Sequence, residues 1–131
     1  MLVLQHNCAR TSNVVHTALE AALEAGAAIA CLQEPPVGGK GEISHPGFLF
    51  YWPEGPREHA RVMTAVRRDI VGKVAIEART DLINHPYFIA VDVVEKGRRT
   101  RVVNCYDSRI GPGYRYVGAT RHNRRALVDI D

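Results

Sequence analysis

Two polar side chains in this sequence close short apolar runs, at positions where a buried strand would end. Asn7 closes the run VLQHN near the start of the chain, and Glu34 closes AAIACLQE and precedes two prolines, which cannot extend a central strand. A strand, a helix and a second strand would bring both side chains to one sheet edge. An amide and a carboxylate meeting there can hold a hard, oxygen-preferring cation such as Mg²⁺.

A third candidate is Tyr106, which ends the later run VVNCY. A tyrosine near a phosphate can donate its hydroxyl in a hydrogen bond or orient a catalytic acid. Each of the three residues, taken alone, also fits an ordinary role: a turn asparagine, an exposed glutamate, an amphipathic tyrosine at a strand end. The case for a site therefore depends on whether the three side chains converge.

The elements that must position them follow from the apolar pattern. Leu2–Leu4 and Ala27–Leu32 are continuous apolar runs typical of buried strands, and the spacing between them predicts a helix over Val14–Ala25. Strand, helix, strand indicates a parallel pair. We expect Val102–Cys105 to form a third buried strand adjacent to these two, so that Asn7, Glu34 and Tyr106 lie at one end of the sheet.

Downstream of Glu34 the pattern predicts mainly strands. They are expected over 48–52, 60–66 and 71–78, with a hairpin that joins 87–94 to 101–105 through Glu95–Arg98. The spacing of Ala126, Leu127 and Ile130 predicts a helix over 119–130. This order favours an α/β (α+β) fold, and no glycine-rich dinucleotide fingerprint follows the first strand.

Composition indicates one domain over residues 1–131, with a formal net charge of +3 and ordinary apolar content. The three cysteines have no metal-site spacing, which favours buried, reduced thiols in an intracellular setting, nuclear or cytoplasmic. No apolar run approaches the roughly 18 residues of a membrane span, so no membrane partner is expected. The mild basicity is compatible with a phosphate-rich partner and equally with an ordinary surface.

The ordered set NC, LQE and NCY resembles the endonuclease/exonuclease/phosphatase superfamily. With RVMTAVRR, DLI before IAVDV, and NCYDSRIGPG, the chain is most similar to the N-terminal half of the endonuclease domain of fungal non-LTR retrotransposon (reverse transcriptase) polyproteins. The resemblance implies the N-terminal part of a four-layer α/β sandwich of the deoxyribonuclease type. It also implies Mg²⁺ as cofactor, the phosphate backbone of DNA as partner, Glu34 and Asn7 at the metal, and Tyr106 at the scissile phosphate.

The chain also departs from the family pattern. Many relatives have Tyr-x-Pro-Asn where this sequence reads Tyr106-Asp107-Ser108-Arg109, and the later Gly-Asp-x-Asn and Ser-Asp-His motifs are not among its 131 residues. We therefore expect a domain truncated at its C-terminus that lacks a C-terminal half and is inactive alone. The alternatives are a non-catalytic remnant or nucleic-acid-binding module and, more remotely, a phosphatase of the same fold.

Overall fold

The computed structural model describes residues 1–37 and 43–106, together with the backbone of 126–130. The strands are β1 (Val3–Asn7), β2 (Ile29–Gln33), β3 (Phe48–Tyr51), β4 (Val62–Arg67), β5 (Ala75–Ala78), β6 (Phe88–Glu95), β7 (Arg98–Cys105) and β8 (Ala126–Ile130). The helices are α1 (Ser12–Ala25), a 3₁₀ turn at Arg57–His59 and the short α2 (Arg68–Val71).

The first sheet, sheet A, has the strand order β1-β2-β4-β3. β1 and β2 are parallel, with Val3 opposite Ile29 and Asn7 opposite Gln33, and α1 provides the crossover between them. The helix ends at Gly26, whose φ of 77° is the left-handed conformation that closes many helices. The predicted strand–helix–strand unit is thus present, and both parallel strands end at the same edge.

The second sheet, sheet B, has the order β5-β6-β7-β8, and all its neighbouring strands are antiparallel. β6 and β7 form the predicted hairpin, and its two turn residues, Lys96 and Gly97, have φ values of 51° and 76°. Two successive positive φ angles match the right-handed twist of the flanking strands. The turn lies at the far end of the hairpin from Cys105, which pairs with Phe88.

The described residues pack in three layers: α1, sheet A and sheet B. One face of sheet A packs against α1 through Val15, Leu19, Leu32 and Met63. Its other face packs against sheet B, and the buried side chains of that interface are Ile29, Cys31, Val62, Val66, Ile89, Val91, Val93 and Val102. The molecule is a mixed α/β sandwich, as its sequence predicts.

Three expectations about elements were wrong. Leu2–Leu4 is not a buried strand: Leu2 is exposed, and β1 is half-buried at the edge of sheet A as far as the described residues show. Val102–Cys105 does not lie beside β1 and β2; it belongs to β7 and stacks on sheet A from the facing sheet. A buried strand reads as an apolar run in either position, so the pattern alone does not distinguish them. Ala126–Ile130 is a strand paired with β7, not part of a helix, because the long-range ladder prevails over a short helical spacing. Residues 119–125 lie outside the described part. No helix in that part is long and apolar enough to cross a membrane.

Candidate active site

The parallel ends of β1 and β2 bring Asn7 and Glu34 to the same edge of sheet A. Asn7 is the last residue of β1 and pairs in register with Gln33, so Glu34 is the next residue past the ladder. The main chain continues this contact, because Cys8 N–H donates to the Gln33 carbonyl (2.7 Å) and Arg10 N–H donates to that of Glu34 (2.7 Å). The segment after β1 therefore wraps around the end of β2.

The backbone of Glu34 adopts a conformation that few non-glycine residues take. Its φ is 50°, and its N–H donates to the carbonyl of Arg61 at 2.8 Å, at the start of β4. A left-handed residue of this kind costs about 1 kcal/mol or more and persists only where surrounding bonds enforce it. Here those bonds turn the chain out of the sheet at Glu34, ahead of the rigid Pro35-Pro36 pair.

The loop after Asn7 also contains non-glycine residues in the left-handed backbone conformation. Ala9 and Arg10 have φ values of 49° and 58°, and the Asn7 Oδ1 atom accepts a hydrogen bond from Ala9 N–H at 2.9 Å. An amide oxygen has a second lone pair, and the Asn7 NH₂ group keeps its donors. The asparagine thus fixes the turn and still presents polar atoms to the sheet edge.

Tyr106 joins this edge from sheet B. Its hydroxyl donates to Glu34 Oε1 at 2.7 Å, a contact between residues 72 positions apart. Its backbone N–H donates to the Tyr87 carbonyl at 2.9 Å, and its ring contacts the ring of Tyr87 edge-to-face with centroids 5.5 Å apart. The structure therefore brings all three candidate residues to one end of the sandwich, with Glu34 and Tyr106 in direct contact.

Beneath this contact lies a feature that the sequence reasoning missed, a buried pair of amides between the sheets, the amide bridge. Gln33 and Asn104 are both fully buried, and Gln33 Nε2 donates to Asn104 Oδ1 at 2.8 Å. Asn104 Nδ2 reaches Met63 O (3.0 Å), Thr64 Oγ1 (3.2 Å) and Leu32 O (3.3 Å). The signal was present in the motifs LQE and NCY, where each amide sits inside an apolar run one or two residues before a candidate site residue.

Cys8, the residue after Asn7, is buried close to the Glu34 carboxylate. Burial, followed by the negative charge of Glu34, raises the pKa of the Cys8 thiol to about 12. Burial thus favours the protonated thiol of Cys8, which is a poor nucleophile in that form.

The donor set defines the kind of cation that fits. No group of three or more His, Cys, Asp or Glu side chains that could form a metal cluster occurs in the part of the chain that the structure describes. One carboxylate, with an amide oxygen at the same edge, suits Mg²⁺, which keeps several waters and commonly uses one or two carboxylates together with substrate phosphates. It does not suit zinc, which prefers a closed set of nitrogen and sulfur ligands.

The α/β sandwich formed by α1 and the two sheets also occurs in a solved endonuclease domain. The chain is similar in structure to the endonuclease domain of TRAS1, a telomere-specific non-LTR retrotransposon, with a TM-score of 0.67 and 21% sequence identity. The similarity covers 84% of this chain and 47% of that domain, so the chain spans about half the length of the solved structure it matches. The endonuclease-type relationship indicated by the sequence motifs is thus confirmed at the level of fold.

No family model matches the sequence, and no curated protein matches it either.

Proposed function

We propose that this chain forms the metal- and phosphate-binding part of a Mg²⁺-dependent endonuclease that cleaves phosphodiester bonds in DNA during retrotransposition. The observation that carries the proposal is the hydrogen bond from Tyr106 to Glu34 at the edge where Asn7 ends β1. It puts a carboxylate, an amide and a phenol from three strand ends in one place. The proposal places the chain inside the cell, in the nucleus or cytoplasm, where DNA is available.

Each side chain has a role that follows from its chemistry. Glu34 holds Mg²⁺ through its carboxylate, with the Asn7 amide oxygen as a further ligand, and the bound ion would offset negative charge on the phosphate. The Asn7 NH₂ group and the Tyr106 hydroxyl are hydrogen-bond donors that orient phosphate oxygens. The Tyr106 hydroxyl has one hydrogen, which it donates to Glu34 in this structure and so fixes the direction of the carboxylate. Donation to a phosphate oxygen would replace this bond when the phosphate is bound.

The proposal includes the expectation that these residues do not suffice for turnover. The residues assigned here position phosphate and charge, but none of them is assigned the task of activating water or protonating the leaving group. General acid–base catalysis contributes typically ~10²–10⁴-fold, and groups that act as a unit lose most of the rate together.

A plasmid-nicking assay with Mg²⁺ tests the role of Glu34 and the expectation that the chain alone does not turn over. The purified 131-residue chain should nick supercoiled DNA no faster than its Glu34→Ala variant. A fusion of this chain to the part of the TRAS1 endonuclease domain that lies outside the aligned region should nick, and Glu34→Ala should abolish that activity. Glu24→Ala, which removes an exposed glutamate on α1, is the matched control and should leave the fusion active.

Nicking by the fusion that survives Glu34→Ala would overturn the assignment of Glu34. Glu34-dependent nicking by the chain alone would show that the site is complete, with a base supplied by a residue not assigned here.

A second candidate function is a DNA-binding module without catalytic activity. The single carboxylate at the site, with no cluster of three metal-binding side chains among the described residues, favours it. The fusion experiment separates the two candidates, because a binding module gives no Glu34-dependent nicking in either form.

A further inference from the structure

A cleft beside the candidate active site has the features of a second binding site. Its volume is ≈ 420 Å³, and it is lined by His59, Arg61, His85, Pro86 and Tyr87. The residues come from the chain that leads into β4 and from the chain that leads into β6. Neither segment contributes a residue to the three strand ends described above.

Two residues that line the cleft contact residues of the Glu34 site. Arg61 accepts the backbone hydrogen bond of Glu34 (2.8 Å) and donates its own N–H to the Pro86 carbonyl (2.8 Å). The ring of Tyr87 contacts that of Tyr106, whose hydroxyl binds Glu34. One aromatic ring therefore separates the cleft from the phenol that contacts the carboxylate.

The side chains that line the cleft offer hydrogen-bond donors and positive charge. Arg61 Nη1 donates to the carbonyls of Glu58 (3.1 Å) and Ala60 (3.2 Å), and no carboxylate forms an ion pair with Arg61 in the ranges 1–37 and 43–106. His85 Nδ1 accepts from Tyr87 N–H at 3.1 Å, so the ring hydrogen resides on Nε2, which is a donor. No acidic residue is among the lining residues.

The chemistry of the cleft matches a nucleotide. A guanidinium without a carboxylate partner suits a phosphate, which it can bind through two parallel hydrogen bonds. An aromatic ring beside that cation suits the flat face of a base or the apolar face of a sugar. A simple anion would use only the guanidinium and a neutral apolar molecule only the ring, whereas a nucleotide uses both.

We propose that this cleft binds the nucleotide adjacent to the phosphate held at Glu34, with its own phosphate on Arg61 and its base or sugar against Tyr87. The inference rests on the proposed function, because it extends the path of a DNA strand from the Glu34 site. The inference assigns DNA affinity to Arg61 and Tyr87, which lie outside the sequence motifs that contain the residues of the Glu34 site.

The test measures binding of a fluorescein-labelled single-stranded DNA oligonucleotide to the full 131-residue chain by fluorescence anisotropy. EDTA is present, so that no metal contributes, and the salt concentration is varied. Arg61→Gln should weaken binding and reduce the slope of log K against log salt by about 0.7, the value of one phosphate contact on a single strand. Arg98→Gln, which removes an exposed arginine at the opposite end of the sandwich, should leave the slope unchanged.

Two variants of Tyr87 test the aromatic contact. Tyr87→Leu should weaken binding about fivefold or more with little change in the salt slope, since stacking is not ionic. Tyr87→Phe keeps the ring and should restore the affinity, which a variant that merely damages the fold would not show.

The inference is overturned if Arg61→Gln and Arg98→Gln have equal slopes, if Tyr87→Leu binds like the wild type, or if no oligonucleotide binds at low salt. Different results would overturn the proposed function. In that case Glu34→Ala would leave Mg²⁺ binding and fusion nicking unchanged, while the Arg61 and Tyr87 variants would still lose DNA affinity.

Discussion

Replacing Asn104 by alanine should destabilise the protein strongly, because Asn104 is the centre of the amide bridge. The substitution removes the acceptor for Gln33 Nε2 (2.8 Å) and the donor to Thr64 Oγ1 (3.2 Å) inside a fully buried interface. Leaving a buried polar group without its partner costs ~1–3 kcal/mol. Two such groups, together with the space left by the missing amide, give an expected loss of about 3–4 kcal/mol in the free energy of unfolding.

Gln33 should be the less sensitive partner of the same bridge. Its Oε1 atom is buried and has no hydrogen-bond partner in the described part of the chain, so Gln33→Leu removes an existing penalty along with one good bond. We expect Gln33→Leu to cost at least about 1 kcal/mol less than Asn104→Ala. Combining Gln33→Leu with Asn104→Leu should cost less than the sum of the single changes, since neither amide is then left unpaired.

Urea unfolding followed by the fluorescence of Trp52, the one tryptophan of the chain, measures these differences. Asn84→Ala, at an exposed asparagine, is the matched control and should lie within about 0.5 kcal/mol of the wild type. A loss below about 1 kcal/mol for Asn104→Ala would refute the reasoning. So would a Gln33 variant that is less stable than the Asn104 variant.

Three further predictions concern the metal, the strained loop and acid stability. Isothermal titration calorimetry should show weak Mg²⁺ binding, with a dissociation constant on the order of millimolar, and Glu34→Ala should abolish it. Micromolar affinity, or Mg²⁺ binding that survives Glu34→Ala, would contradict a site with a single carboxylate. Ala9→Gly should raise the free energy of unfolding by about 0.5–1 kcal/mol in urea titrations, because glycine takes the φ of 49° without strain, and a loss of stability would contradict this. Burial would raise the pKa of Asp92, but hydrogen bonds from Arg101, Arg99 and Arg79 outweigh burial, and the pKa is lowered. A carboxylate with a lowered pKa stabilises the folded state above its ordinary pKa, here 3.8. That stability is lost as the pH falls through the lowered pKa. The urea midpoint should therefore fall from pH 5 towards pH 2, and less steeply in Asp92→Asn; an equal slope in the two proteins would contradict the role of this carboxylate.

The spacing of apolar residues along the chain was sufficient to predict the elements that depend on residues close together in sequence. The parallel pair with its helix follows from two apolar runs around a 3.6-residue period, and the hairpin follows from two strands around Lys96-Gly97. The convergence of Asn7 and Glu34 needed only the parallel pairing. These features depend on short-range preferences, which a sequence displays directly.

The partition of the strands between two sheets could not be predicted in the same way. Val102–Cys105 reads as a buried strand in any sheet, and only its contacts with sheet A across the core show where it lies. Residues 126–130 have apolar spacing that fits a helix, yet their partner is β7, more than twenty positions earlier in the chain. Neither the amide bridge nor the cleft beside Tyr87 is visible in a periodic pattern, because each joins segments that are distant in sequence.

The separation of the sheets along the chain has a consequence for how the site forms. Sheet A is drawn from residues 3–67 and sheet B from residues 75–130, so each sheet comes from one continuous stretch of chain. The Tyr106–Glu34 contact spans 72 positions and links one stretch to the other. The site therefore does not exist in a folding intermediate in which either sheet has formed alone.

The carboxylate and the phenol meet only where the two sheets are docked, so the site depends on the interface between them. Closing a contact over so long a separation is slow compared with forming the hairpin or α1. A ligand that needs both side chains would bind only the docked form and would shift the docking equilibrium towards it. Binding of such a ligand and docking of the sheets would then be thermodynamically coupled, so a substitution that weakens the interface between the sheets would also weaken binding.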